Sequence, residues 1–420
     1  MPLGLYISVP FCRTKCSYCN FASDVFSKSA YENYVARLLE DIARSHQLAS
    51  GLECTLEETA DSIYLGGGTP SILDSSQLLR IFAALRDQFA ITPDAEITVE
   101  CAPGTLTPAL IETLQRCGVN RVSLGVQSFV DQEARSVGRL HERSTVIEEI
   151  ARLREAGLDN INVDLIAGLP HQTAESWAFS VSETIATRVP HVSVYMLEVD
   201  EDSRLGRELI AGGARYHAHF VPDDDATADF YQQACEMLEA FGMPQYEISN
   251  FARCKAQSRH NLKYWTRQPY LGFGVDAHSM LRTPMAERQC RTQLAMATIN
   301  ERENCQALRF AAPDSLEAYM NGASHRMTPV SNQAAIEESL FLGLRLNRGI
   351  DLDILRKNFG GVAIWESAIR ECVRDGLLEQ KSATLRLTPQ GRLLSNEVFA
   401  RFLAEEKEER KVGTIHANPR

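Results

Sequence analysis

Three cysteines, Cys12, Cys16 and Cys19, stand in a C-x3-C-x2-C run directly after a strand-like stretch, Leu5 to Val9, and Pro10. A structural zinc site draws four ligands as two separated pairs, each held on its own turn. Three thiols crowded into eight residues suit instead one cubane iron–sulfur cluster, whose four irons need four ligands in all. Three ligands from the protein leave one iron open. An open iron can bind and reduce a small molecule rather than only relay electrons. The competing reading is three buried or reactive thiols that share nothing, and the tight spacing argues against it.

Other residues of chemical interest fall where strand-like stretches end. Gly66-Gly67-Gly68-Thr69-Pro70 follows Asp61–Leu65, Glu100 closes Glu96–Glu100, Gln127 follows Arg121–Val126, and Asp164 lies in Ile161–Ile166. Alone, the triple glycine is a tight strand-to-helix turn; beside a ligand, backbone without Cβ atoms can approach closely and offer amide and carbonyl groups. Glu100 on its own reads as solvated or paired. Arg139 and Asp164 on their own read as an ion pair at a rim. His260 stands in His260-Asn261-Leu262-Lys263-Tyr264-Trp265. A neutral imidazole with flat aromatic neighbours could ligate a haem iron, although a histidine near aromatics is commonly a hydrogen-bonded packing residue. His278, in a glycine-flanked turn, reads as structural or as a support to residues that touch the ligand.

The elements that must position these residues follow from apolar periodicity. Helical spacing runs through Tyr31–Leu48, a helix starting at Ser75, Pro108–Cys117, Thr145–Ala156 and Ala174–Thr187; strands intervene, the last at His191–Leu197. Strand and helix alternate six times, which predicts α/β architecture with parallel strands and outer helices. Six units fall short of a closed eight-stranded barrel, and chemistry in such folds sits at the carboxyl ends of the strands. Beyond a loop at 206–225, a helix over Thr227–Phe241 leads to a strand at Tyr246 and then to His260. From Ser331, three helical stretches and a short hairpin (Leu377–Glu379, Leu385–Leu387) resemble a winged helix.

Composition narrows the function classes. At 420 residues and 44% hydrophobic, the chain can bury two or three cores. Its net charge of −12 disfavours a phosphate-tracking surface, and in the C-terminal module Arg356, Lys357, Arg370 and Arg374 are offset by neighbouring acids. Nucleic acid is therefore not an expected partner, and a radical enzyme acting on RNA is disfavoured. Eight of the eleven cysteines are scattered, no signal-like apolar segment follows Met1, and no run approaches a membrane span, so a reduced, cytoplasmic protein is expected.

The cysteine spacing, with Tyr18 before the third cysteine, resembles the signature of the radical S-adenosylmethionine (SAM) superfamily. In that family the open iron chelates SAM, and an electron from the [4Fe–4S] cluster cleaves it to a 5′-deoxyadenosyl radical. The fold this implies is a partial (β/α)6 barrel. A wider resemblance joins the chain to the branch that holds oxygen-independent coproporphyrinogen III dehydrogenase (HemN) and haem chaperones of the HemW type. It rests on Tyr6-Ile-Ser-Val-Pro-Phe-Cys12, Gly66–Pro70, Gly125-Val-Gln127-Ser-Phe129, Gly138-Arg139-Leu-His141, Asp164-Leu-Ile-Ala-Gly168-Leu-Pro170 and Tyr246-Glu-Ile-Ser-Asn-Phe251.

The resemblance implies that Tyr6, Gly67 and Glu100 contact the cluster-bound SAM. Gly68, Thr69, Gln127, Arg139 and Asp164 match positions that contact a second SAM in the dehydrogenase. It also implies domains at 1–205 (barrel), 206–325 (connecting region with the HNxxYW segment), 326–400 (HemN C-terminal domain) and 401–420 (charged tail). Two departures separate the relatives. The dehydrogenase carries a fourth cysteine two residues after the third, where Phe21 stands here, and a long arm before its first strand, whereas Tyr6 lies near the start. Asn20-Phe21 and the HNxxYW segment match the chaperones, with His260 as candidate haem residue. The expected function is haem binding and delivery to acceptor proteins, including at a membrane surface, with an electron donor for the cluster and a homodimer left open. Coproporphyrinogen oxidation is the alternative, favoured by Gln127, Arg139 and Asp164.

Overall fold

The strands of the first half alternate in character, and the alternation sets the architecture. Leu5, Ile7 and Val9, then Ile63 and Leu65, then Ile97 and Val99, then Val122 and Leu124, all enter one large core. Their neighbours on the opposite face are Tyr6, Ser8, Ser62, Tyr64, Glu96, Thr98, Glu100, Arg121 and Ser123. Successive residues of a strand point to opposite faces, so one face is apolar and packs under helices while the other is polar.

The structure, a computed structural model, describes residues 1–284, 305–359 and 363–403. The barrel runs β1 (Leu3–Val9), α1 (Lys28–Ala43), α2 (Ser45–Gly51), β2 (Thr59–Gly67), α3 (Ser75–Gln88), β3 (Ala90–Cys101), α4 (Pro108–Arg116), β4 (Arg121–Gln127), α5 (Asp131–Ser136), α6 (Arg143–Glu155), β5 (Ile161–Ala167), α7 (Ala174–Thr187) and β6 (His191–Met196). Strands β1 to β6 pair in sequence order and in parallel, as the six-fold repeat predicts. The helix expected over Tyr31–Leu48 is two, because Arg44, at φ −93° and ψ 4°, breaks it between α1 and α2.

The next stretch holds α8 (Arg204–Ala211), α9 (Asp224–Ala240), β7 (Gln245–Glu247), β8 (Asn250–Ala252), α10 (Arg259–Trp265), β9 (Tyr270–Phe273), β10 (His278–Arg282), β11 (Cys305–Ala311), α11 (Leu316–Met320) and β12 (Arg326–Ser331). Among the described residues its strands widen the barrel sheet to twelve, in the order β12-β11-β10-β9-β1-β2-β3-β4-β5-β6-β8-β7. β9 joins β1 in parallel, whereas β8 pairs antiparallel with β6, and β10 to β12 continue antiparallel beyond β9. Residues of the Gly272–Ser279 turn thus belong in part to two sheet strands.

The C-terminal part comprises α12 (Asn332–Leu344), β13 (Ile350–Asp351), α13 (Leu352–Phe359), α14 (Glu366–Arg374), β14 (Leu378–Lys381), β15 (Thr384–Leu387), α15 (Pro389–Leu393) and α16 (Ser395–Ala400). Ser331 caps α12 by accepting the Ala334 N–H, and the helices close over a second core that includes Leu340, Leu352, Trp365, Ile369 and Leu385. β13 adds a third strand to the expected hairpin. The charged run at 405–411 lies outside the described residues. Among the described residues no helix is long and apolar enough to cross a membrane.

Candidate cluster and cofactor site

The three cysteines leave the carboxyl end of β1 in a loop tied down at many points. Cys12 donates its N–H to Asp24 O at 3.0 Å, and Asp24 donates back to Pro10 O at 3.0 Å. Lys15 Nζ donates to the carbonyls of Phe21 and Ser23, each at 2.6 Å, closing the loop on itself. Thr14 and Ser17 reach the segment after α5, donating to Gly138 O at 2.9 Å and Val137 O at 3.1 Å. A loop braced this way holds its thiols in place before any metal arrives.

The sulfurs are electrostatic neighbours. Burial raises the Cys12 pKa, hydrogen bonds from Ser23 and Thr69 oppose that, and Cys19 and Cys16 raise it further. Thr69 Oγ1 donates to Cys12 Sγ at 3.8 Å, and Arg139 Nη1 donates to Cys16 Sγ at 3.6 Å. Burial works against the Arg139 charge, yet Cys16, Tyr18 and Cys12 together more than offset it and raise its pKa. Three thiols on one braced loop, with donors aimed at two of them, fit an iron–sulfur cluster, whose sulfurs gain from such hydrogen bonds.

Beside the cysteines, the glycine turn after β2 lies flat against the end of β1. Gly68 and Thr69 donate their N–H groups to Val9 O at 2.9 Å and Phe11 O at 2.8 Å. A Cβ on Gly68 would stand 2.7 Å from both Phe11 O and Val9 O, so no larger residue fits without moving backbone. Gly67 adopts φ +99°, and a Cβ there would meet Ser8 Oγ at 2.9 Å and Tyr6 Oη at 3.5 Å. Tyr6, Gly67 and Gly68 are thus brought together with the cysteine loop.

The remaining expected residues lie on the polar face of the barrel. Tyr64 donates its hydroxyl to Glu100 Oε1 at 2.8 Å, and its ring stacks on Tyr6 with centroids 6.2 Å apart. Asp164 accepts from Ser123 at 3.1 Å and from Asn162 at 2.8 Å, so it is hydrogen-bonded rather than paired with Arg139 as an ordinary rim ion pair. Arg139 instead donates Nη2 to Gly125 O. Gln127 holds a left-handed φ of +71°, and both Gln127 Oε1 and Arg139 Nε are buried without a partner among the described residues. A buried acceptor and a buried donor left over near the cysteines fit a polar ligand such as SAM.

His260 is placed differently from the other expected residues. It is the second residue of α10, 1% exposed, with Nδ1 3.0 Å from Ser62 Oγ and Nε2 2.9 Å from Tyr264 Oη. Its ring stacks on Tyr64 at 5.3 Å. Burial first, then Lys263 and Arg121, push its pKa down to about 3, so the ring is neutral. Both nitrogens are taken and no face is open. In this arrangement His260 is a buried histidine hydrogen-bonded through both ring nitrogens. It supports Tyr64, and through Tyr64 it supports Glu100.

A profile of the radical SAM superfamily matches residues 6–181, and one of the HemN C-terminal domain matches residues 330–394. The "Heme chaperone HemW" of Bacillus subtilis is 31% identical over 403 residues, covering 95% of this chain and 99% of that protein. The HemW of Escherichia coli is 30% identical over 408 residues, covering 96% and 99%. The chain belongs to the HemW family. In structure it also resembles the radical SAM enzyme coproporphyrinogen III oxidase (HemN) of Escherichia coli, with TM-score 0.78 and 22% identity over 96% of this chain and 90% of that one. This likeness is one of fold.

Residues that the motifs did not single out complete this HemW-family site. Ser62, Tyr64, Glu96, Ser123 and Asn162 all lie on the inward face of their strands, and each hydrogen-bonds an expected residue or its neighbour. The signal was the alternation itself. A polar residue at every second position of a strand flanked by helices marks a face that is not core.

Proposed function

We propose that this protein is a haem chaperone that carries a [4Fe–4S] cluster and SAM, binds haem, and delivers it to haem-accepting proteins. The observation that carries this reading is end-to-end similarity, at 30–31% identity, to heme chaperones of several bacteria. Cys12, Cys16 and Cys19 would hold the cluster. Tyr6, Gly67 and Glu100 would seat its SAM, and Gly68, Thr69, Gln127, Arg139 and Asp164 would face a further polar ligand. When bound, such a cluster supplies the electron for SAM cleavage. This chain's residues orient the ligands and shield them: Arg139 and Thr69 stabilise thiolate charge, and Tyr64 fixes Glu100 in one rotamer.

The domain reading assigns the cluster and SAM to a barrel at 1–205, joined through 206–325 to the C-terminal domain at 326–400. Among the described residues every cysteine is a free thiol, which supports a reducing compartment, and we place the protein in the cytoplasm. An electron donor and haem acceptors, some at the membrane surface, complete the scheme. A homodimer is compatible with it.

The alternative, coproporphyrinogen III dehydrogenation, is favoured by Gln127, Arg139 and Asp164 and disfavoured by Phe21 in place of a fourth cysteine. One anaerobic assay separates the two. Reconstituted protein receives SAM, a reductant and coproporphyrinogen III, and porphyrins and 5′-deoxyadenosine are quantified together. Slow SAM cleavage without porphyrin product is the expected result. Catalytic formation of protoporphyrinogen would overturn the chaperone reading.

A further inference from the structure

The polar face of the barrel continues past the cofactor site towards the amino ends of the strands, where it gathers around one buried histidine. His191 opens β6 and pairs in register with Asn162 on β5; Ser193 pairs with Asp164, and Ser123 on β4 with Asn162. Alternation along the three strands turns Ser123, Asn162, Asp164, His191 and Ser193 to one face. His191 and Asn162 are buried, and so is Tyr246 on β7, from a segment that neither the cysteines nor the glycine turn accounts for. Polar side chains this deep persist only when their hydrogen bonds are made.

Each bond in this group has a direction. Ser258 donates its N–H to Tyr246 Oη at 3.2 Å, which leaves the Tyr246 hydroxyl hydrogen for His191 Nε2, 2.9 Å away. Burial first, and then the charge of Arg121, hold the His191 pKa well below 6.5, so the ring is neutral and carries one N–H. With Nε2 accepting, that hydrogen is on Nδ1, which donates to Asn162 Oδ1 at 2.6 Å. The Asn162 amide is thereby turned with its nitrogen away from His191. Nδ2 donates to Asp164 Oδ1 at 2.8 Å and to Ser123 Oγ at 2.7 Å, and Ser123 donates in turn to Asp164 Oδ2 at 3.1 Å. Ser193 Oγ braces the amide, 3.3 Å from Oδ1 and 3.1 Å from Nδ2. An ionised carboxylate can only accept, so the Asp164 end demands the same directions.

Resting on the reading above that Asp164 faces a ligand, we propose that His191 and Tyr246 are positioning residues for SAM binding. They fix which way the Asn162 amide points, and the amide, directly and through Ser123, holds both oxygens of Asp164. Each oxygen takes one of these bonds, and a carboxylate has about four lone-pair sites, so accepting capacity remains for hydroxyl or amino donors of the ligand. Donors that are themselves held keep the carboxylate in one orientation before the ligand arrives, which removes an ordering cost from binding. The far end of the relay is the N-cap of α10, where Ser258 Oγ accepts the Asn261 N–H at 3.3 Å. α10 therefore reaches both carboxylates of the cofactor site, Glu100 by way of His260 and Tyr64, and Asp164 by way of Tyr246, His191 and Asn162. A buried network that only filled the barrel would rigidify it without acting through Asp164.

Equilibrium binding of radiolabelled SAM to the anaerobically reconstituted full chain tests this through a double-mutant cycle. Asp164→Ala should weaken a class of bound SAM, and His191→Phe and Tyr246→Phe should each weaken that same class by about three- to tenfold. His191→Asn, whose amide nitrogen can replace Nδ1 as donor to Asn162, should lose less. Added to Asp164→Ala, neither His191→Phe nor Tyr246→Phe should cost anything more, because the group they position is gone. Iron and sulfide content, set by the cysteine loop, should match the parent throughout. Tyr246→Phe removes one hydroxyl and keeps the ring, so it carries the test if His191→Phe does not fold. Losses that add in full to that of Asp164→Ala would overturn the relay, as would unchanged SAM affinity in His191→Phe and Tyr246→Phe. No change in Asp164→Ala itself would instead overturn the reading of Asp164 as a ligand residue, and the role of the relay with it.

Discussion

A single methyl group at Gly68 tests the cofactor site most directly. Its neighbours would be two backbone carbonyls on the cysteine-bearing strand end, and backbone cannot swing aside as a flexible side chain can. Gly68→Ala should therefore shift the loop that carries Cys12, costing about 1–3 kcal/mol of stability. Iron and sulfide content after reconstitution should fall with it; full incorporation would show that the turn tolerates the displacement. His260 makes a prediction about acid. Its folded pKa of about 3 lies below the ordinary 6.5, so the unfolded chain binds the extra proton between these values and stability falls as pH drops from 6.5 towards 3. His141, held down to about 4 by burial and then Arg139, acts in the same sense. Urea unfolding across that range should show the decline, and His260→Gln, which can still bond Ser62 and Tyr264, should flatten it. The cysteines were legible because their chemistry is written in two spacings. The state of His260 was not, since its ring nitrogen bonds Ser62, 198 residues away in sequence.

At the scale of elements, α10 shows how distant segments lock the barrel interior. Its first N–H groups are capped from another strand: Glu96 on β3 accepts from Arg259 N at 3.0 Å and His260 N at 3.0 Å. A carboxylate at a helix N-terminus meets both orphan donors and the positive end of the dipole. Glu96→Ala should cost about 1.5–3 kcal/mol, the scale of hydrogen bonds to a charged group. It should also raise hydrogen exchange in Arg259–Trp265 selectively; uniform exchange along the chain would refute the capping role. Periodicity made the six barrel strands and their helices readable, since each strand pairs with the next one in sequence. The flanking strands β9 and β10 escaped because they are short, four and five residues, and β9 finds its partner β1 far away in sequence. Alternation in Tyr270-Leu-Gly-Phe273 is too brief to tell a strand from a turn.

For the whole molecule, the question is what fixes the C-terminal part against the barrel, since each has its own core. The seam holds a small apolar cluster with Trp265, Tyr270, Ala335 and Leu346, and one buried carboxylate serves both sides. Glu338 on α12 accepts from Arg267 at 2.8 Å and from Arg309 on β11 at 2.6 Å. Nearby, Arg345 lies 4.2 Å over the Trp265 ring and pairs with the buried Glu247 at 3.6 Å. α10, which packs His260 beneath the cofactor site, therefore also carries the contact to α12. Removing one partner of a buried pair leaves the other charge stranded, a cost of about 3–5 kcal/mol. Glu338→Ala would strand Arg267, whose side chain is only 12% exposed, whereas Glu338→Gln keeps the acceptor and should lose less. Because the loss falls on the seam and not on either core, calorimetry of Glu338→Ala should resolve two unfolding transitions where the parent shows one. A single transition lowered in midpoint would mean that the apolar cluster alone makes the two parts one cooperative body.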